Sequence, residues 1–214
     1  MPCTKGNVEC SGSAWREIKP FHAVGAIRQR FLSNDEQRAF LEACEGDFKL
    51  LATGALGTGA RYGELARLRV HDFNGGSLYV SAQISKTSKA RTINLDREGK
   101  AFFASITAGR SGDAYIFTLQ GRRWNKSEQF RPMQEACKKA KLSYFPFYTL
   151  RHTAASNWLR AGVPMKYIAE QLGNSLAICE RHYAHVAPDH RAEVFANLPA
   201  LNLSVFIDSV APVQ

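Results

Sequence analysis

Two arginines, a lysine and a tyrosine, Arg61, Arg151, Lys86 and Tyr183, are the residues of this 214-residue chain with the chemistry for phosphoryl transfer. The guanidinium fork donates parallel hydrogen bonds and stays charged. A pair of arginines can therefore hold both non-bridging oxygens of a phosphodiester and neutralise the charge that grows on them in the transition state. A tyrosine hydroxyl, with a free pKa of about 10, attacks at neutral pH only where cationic groups fold against it. A lysine ammonium beside arginines can protonate a departing oxygen. Taken singly, each also fits a plainer role: Arg61 with Glu64 as a helix-surface ion pair, Lys86 as a DNA-backbone contact, Tyr183 as a core residue.

The segments that must position these groups are marked by local signals. Residues 147–185 read as three short helices, separated by Gly162-Val163-Pro164 and Leu172-Gly173-Asn174, with Arg151 near the start and Tyr183 near the end. Upstream, Ser33 and Glu36 have the form of a capping box that opens a helix over 35–44, with Phe40 and Leu41 facing inward. A second helix over 48–56 leads through a flexible Gly57-Thr58-Gly59 to Arg61, and Leu65, Leu68 and Val70 close a short helix after it. Residues 70–73, 77–82 and 91–95 predict three antiparallel strands, with Asn74-Gly75-Gly76 as a hairpin turn and Lys86, Lys89 and Arg91 projecting from the loop between the second and third. Asp96 caps a helix over 97–106 whose Phe102 and Phe103 face the core. Residues 114–117 suit a buried extended segment, and 120–126 a polar, basic loop. A helix then starts near Phe130, which accommodates Pro132, and runs to about Leu142; the last helix covers 188–195. The fold class is α+β, mainly α, with a small three-stranded antiparallel sheet.

Leu150-Arg151-His152-Thr153, Ala161-Gly162-Val163-Pro164, Leu172-Gly173 and Tyr183-Ala184-His185 resemble the C-terminal signature of the tyrosine recombinases, the phage integrase family. Ala60-Arg61-Tyr62-Gly63-Glu64-Leu65 resembles that family's first-arginine motif, and Ser85-Lys86-Thr87-Ser88-Lys89-Ala90-Arg91 its lysine hairpin, so the motifs stand in the family's order over residues 31–197. The resemblance implies Arg61 and Arg151 as the phosphate clamp, Lys86 as the acid for the leaving 5′ oxygen and Tyr183 as the nucleophile. Glu64 would orient an arginine, and Lys89 and Arg91 would contact DNA. The chain departs from the family at two positions. Tyr148 stands where a histidine is usual, three residues before the second arginine, and Asn174 where His or Trp follows the Leu-Gly pair. Both keep a hydrogen-bond donor for phosphate but lose the titrating imidazole. His152, adjoining Arg151, is a second candidate for the Tyr148 role, but neighbouring helical residues diverge by about 100°, so it is expected to support the site by packing structurally.

The implied activity is site-specific recombination through a 3′-phosphotyrosyl intermediate, serving integration or excision of a bacterial mobile element, without ATP or metal. The implied partners are double-stranded DNA, three further protomers in a tetramer on two duplexes, and accessory DNA-bending proteins. A type IB topoisomerase-like enzyme and a non-catalytic DNA-binding relic are the competing readings. Residues 1–30 form an extended arm or linker remnant, 31–200 the catalytic domain, and 201–214 a tail, with Val194, Phe195 and Leu198 candidates for docking on a neighbouring subunit. An arm of that length leaves no room for the family's N-terminal clamping module, so a fragment of a longer integrase or a shortened member is expected.

A formal charge of +9 agrees with a polyanionic partner, since a basic surface releases counterions on binding nucleic acid. No run of apolar residues is long enough for a membrane span and the N-terminus lacks an apolar signal core, which places the chain in the cytoplasm. The five cysteines lack metal-type spacing and suit reduced thiols; His182, His185 and His190 lack a Cys or acidic partner at ligand spacing, so no metal is expected.

Overall fold

The computed structural model describes residues 30–85 and 89–186. Lys86, the arm over 1–29, the helix expected over 188–195 and the tail all lie outside the described residues. Helix α1 (Asn34–Ala43) opens on the anticipated capping box, with Ser33 Oγ accepting from Glu36 N at 3.2 Å and Ser33 N donating to Glu36 Oε2 at 2.9 Å. Helix α2 (Gly46–Thr58) follows and buries Phe48, Leu51, Ala52 and Ala55. Helix α6 (Tyr148–Arg160) packs against it. A short α3 (Tyr62–Leu65) then leads to the sheet.

Strands β1 (Ser77–Val80) and β2 (Arg91–Asn94) pair antiparallel, with Val80 opposite Arg91. At the turn before β1, Asn74 Oδ1 accepts from the backbone of Gly76 and Ser77. The expected third strand is absent. Residues Val70–Asp72 form a 3-10 turn, because Asp72 Oδ2 accepts from Arg69 N while Val70 N and His71 N donate to the carbonyls of Ala114 and Gly112. Those backbone groups are thus spent on the 112–114 segment, and only an isolated bridge, Phe73 to Leu78, reaches β1. Conversely, the basic loop contains a hairpin not anticipated: β3 (Thr118–Leu119) pairs with β4 (Arg122–Arg123) across Gln120 and Gly121, both at positive φ.

Asp96 caps α4 (Arg97–Thr107) through Gly99 N, and α5 (Phe130–Lys139) starts where Pro132 can be accommodated in its first turn. The main core gathers Phe40, Leu51, Leu65, Ile93, Phe103 and Phe117 between α1, α2, α4 and the sheet. A second cluster joins α6 to α7 (Met165–Leu172) and α8 (Leu176–Tyr183) through Leu159, Ile168, Leu172 and Cys179. Helix α6 belongs to both cores: Leu150 faces one and Ala155 the other, and residues 149–156 are buried all round. A polar side chain in its middle is therefore held between the two cores. The three-helix tract has the boundaries its sequence signals: Pro164 precedes α7, Gly173 ends it at φ +65°, and Ser175 caps α8 through Ile178 N.

Candidate active site

Arg151 occupies the middle of the seam and is 1% exposed. Its guanidinium donates to Gly59 O and Leu172 O, both at 2.7 Å, and to Asn174 Oδ1 at 3.1 Å. Gly59 caps α2 and Leu172 ends α7, so both backbone acceptors sit at helix C-termini, where carbonyls lack helical partners and the dipole is negative. Burial, and then the charge of Arg61, pushes the Arg151 pKa down; an anion entering beside it would relieve both effects.

Gly59 is thus a left-handed helix cap at φ +61° and not the flexible link expected, and a Cβ there would lie 2.8 Å from Leu172 Cδ2 and 3.1 Å from Trp158 Cη2. Gly59→Ala should destabilise the fold by about 2 kcal/mol, from left-handed strain plus overpacking. Urea denaturation of the two proteins would measure it.

Arg61, at the head of α3, donates to Glu64 Oε1 at 3.0 Å and to Asn174 Oδ1 at 3.0 Å. Two guanidinium groups from distant parts of the chain therefore meet on one carbonyl oxygen, that of Asn174, a place that a phosphate oxygen has the charge and acceptor capacity to fill. Glu64, 1% exposed, accepts from Arg61 on one side and both Nη atoms of Arg91 on the other, at 2.9 and 2.8 Å. Burial works to raise the Glu64 pKa, but the hydrogen bonds and charge of Arg91, then those of Arg61, outweigh it and hold the carboxyl below its usual range.

This corrects the reading of Arg91 as a DNA contact. As the first residue of β2 it turns inward, spends its fork on Glu64 and gives Nε to Gln171 O at 2.8 Å. It fixes the carboxylate that fixes Arg61, and it ties the sheet to α7. Lys89 is exposed on the same loop.

Tyr148, Arg61, Asn174 and Ile178 line a cleft of about 560 Å³, and Arg61, Tyr148 and Arg151 line a smaller one of about 200 Å³. Tyr148, at the head of α6, is half-exposed, with the Arg151 guanidinium 6.0 Å from its ring centre. Tyr183 is not among the cleft-lining residues. It closes α8 at 2% exposure, with its hydroxyl 2.8 Å from His152 Nδ1. Burial pushes the phenol pKa well above its usual value, and the Arg151 charge pulls it back only in part.

His152 thus does more than pack. Because α6 is buried on all sides, its divergent neighbours both meet partners: Arg151 reaches α2 and α7 while His152 reaches the end of α8. Burial, then Arg151, then His182, lowers the His152 pKa to about 4. The unfolded chain therefore binds a proton that the folded chain refuses. Stability should be at its full value above about pH 6.5 and fall by about 3 kcal/mol as the pH drops from there towards 4. His152→Asn should remove that part of the pH dependence in denaturation curves.

Sequence reasoning missed the backbone acceptors of Arg151 and the Arg91–Glu64 clamp. The glycines that end α2 and α7 were the available signal for the first; no local pattern signals the second. Among the described residues no group of three or more His, Cys, Asp or Glu is placed to hold a metal ion, and no helix is long and apolar enough to cross a membrane.

Fold and site together define a mainly helical domain built to bring two arginines to one anion-sized position near a buried tyrosine. Residues 30–190 match the model of the phage integrase family, and the chain belongs to that family. It is 26% identical over 237 aligned positions to a XerC-like tyrosine recombinase of Caldanaerobacter subterraneus subsp. tengcongensis, covering 92% of this chain and 59% of that protein. The chain thus spans about three fifths of the length of this relative. Among solved structures, the catalytic domain of bacteriophage HP1 integrase superposes with a TM-score of 0.62 at 24% identity, covering 80% of this chain and 96% of that one. XerH recombinase bound to its difH substrate gives 0.59 at 19% identity, covering 83% and 56%. These two likenesses establish the fold.

Proposed function

We propose that this chain is the catalytic domain, over residues 31–200, of a tyrosine site-specific recombinase that cuts and rejoins double-stranded DNA during integration or excision of a mobile element. The observation that carries this reading is the meeting of Arg61 and Arg151 on a single oxygen, 3.0 and 3.1 Å away. A scissile phosphate seated there receives hydrogen bonds from both forks, and the low-dielectric seam strengthens them as charge grows on its oxygens.

The Tyr183 oxygen then bonds to phosphorus while the bond to the 5′ oxygen breaks. The departing oxygen takes a proton from Lys86, and the phosphate remains on the tyrosine by its 3′ side. Attack by a 5′-hydroxyl on the phosphotyrosyl bond reverses the exchange, so the bond energy is retained and neither ATP nor metal enters the balance. Tyr148 and the Asn174 amide supply neutral donors around the phosphate, while Glu64 holds Arg61 in place. A homotetramer on two duplexes, with DNA-bending proteins assisting, is the working assembly in this reading, and XerH bound to difH illustrates DNA on a similar fold.

Burial of Tyr183 away from the cleft favours one competing reading, a DNA-binding relic. A duplex nicked beside the target phosphate separates the two, because the short leaving strand diffuses away and traps the covalent product. Formation of a denaturation-resistant protein–DNA adduct supports the recombinase; binding without adduct over varied target duplexes supports the relic.

A further inference from the structure

We infer that His152 is a further catalytic residue, the base that receives the phenolic proton as Tyr183 attacks phosphorus. This rests on the proposed strand-transfer reading and deepens it by assigning a step that the two arginines cannot perform.

The Tyr183 hydroxyl is buried and needs an acceptor for its hydrogen. Among the described residues its hydrogen-bond partner is His152 Nδ1 at 2.8 Å. The ring is held for that contact: it is itself 7% exposed, its centre lies 5.7 Å from that of Tyr183, and the edge-on Tyr148 ring supports it from one turn earlier at 4.6 Å. Four titratable groups face the imidazole: Arg151 and Tyr148 from α6, and His182 and Tyr183 from α8.

Of the groups acting on the phenol, Arg151 keeps its protons, Tyr148 is another phenol, and burial pushes the Cys179 thiol up. The imidazole alone among them offers a basic lone pair near neutral pH. Its pKa, lowered to about 4, keeps that lone pair free throughout the neutral range.

The balance is simple. The Nδ1 lone pair takes the proton, the O–H electron pair becomes available to the forming O–P bond, and the P–O5′ pair leaves with the 5′ oxygen. On rejoining, the imidazolium returns its proton to the phenol oxygen as the phosphotyrosyl bond breaks. Imidazolium beside Arg151 is unfavourable in the empty site, and the negative phosphate between the guanidinium groups offsets that repulsion, so proton transfer is tied to occupancy by DNA.

The test is single-turnover cleavage of a nicked duplex, with duplex affinity measured alongside. In His152→Asn an amide oxygen falls near the place of Nδ1, so a hydrogen bond to Tyr183 can persist but basicity is gone. The expected result is DNA binding close to wild type and cleavage slowed by about 10²- to 10⁴-fold. The residual rate should climb about tenfold per pH unit as hydroxide replaces the missing base, against a flat wild-type profile between about pH 6 and 8. His152→Gln serves the same comparison where melting curves show the Asn variant unfolded. Cleavage by a folded variant at the wild-type rate and pH profile would show that the ring only positions the phenol. A loss of cleavage matched by an equal loss of affinity would also overturn the assignment. A wild-type protein that forms no adduct at all overturns the recombinase reading, and this inference with it.

Discussion

Tyr183→Phe is expected to abolish the covalent protein–DNA adduct, a loss of at least about 10⁴-fold in cleavage, while DNA affinity changes little. The substitution removes one oxygen and keeps the ring that fills the second core beside Leu172 and Cys179. The hydroxyl makes no contribution to the cleft lining, so a duplex resting on Arg61, Asn174 and Tyr148 should scarcely register its loss. Folding should register it more: His152 Nδ1 loses its partner in a buried site, at about 1–3 kcal/mol for an unsatisfied group. Gel retardation, adduct formation and denaturation on the same preparation separate these effects. A variant that cleaves, or that loses affinity and cleavage together, contradicts the assignment of this phenol as nucleophile.

Glu64→Gln carries the largest expected cost in stability. The carboxylate is 1% exposed and neutralises two guanidinium groups whose side chains are 16% and 8% exposed, Arg61 and Arg91. Removing one partner of a buried ion pair leaves charge without compensation, at about 3–5 kcal/mol. The amide also cannot accept the paired bonds that Arg91 gives at 2.9 and 2.8 Å. Since α3 and β2 meet through this carboxylate, denaturant midpoints should fall, and cleavage should fall with them as Arg61 loses its fixed orientation. The folded-state pKa of Glu64 is depressed, so its contribution is complete above the ordinary carboxylate range and is lost as pH falls through the lower folded value. Wild type should therefore lose stability in acid more steeply than the Gln variant. A variant of wild-type stability would show that the clamp is incidental.

What the sequence made legible was local or rested on ordered motifs. The α1 capping box, the Asp96 cap and the breaks at Gly162 and Gly173 depend on residues within a turn of one another, and the helices start and stop at them. The convergence of Arg61 and Arg151 was legible only through the resemblance, since the residues are far apart in the chain. What escaped depends on distant partners. Residues 70–73 read as a strand leading into the Asn74-Gly75-Gly76 turn, yet the N–H groups of Val70 and His71 find the carbonyls of Ala114 and Gly112 first. Gln120-Gly121 lacks the usual Asn or Asp of a tight hairpin, so the β3–β4 turn was hidden. Arg91 reads as surface charge until Glu64 arrives from another element, and the His152–Tyr183 bond requires two helices to cross.

The most direct test is to map the linkage in a trapped adduct, by digesting the protein–DNA product and sequencing the peptide that carries the nucleotide. The mass should locate a 3′-phosphate ester on Tyr183, in the peptide that begins after Arg181, and both Arg61→Ala and Arg151→Ala should suppress its formation. An ester on Tyr148, Tyr144 or any other residue, or an adduct that forms undiminished without either arginine, would contradict the convergence of these groups on one phosphate.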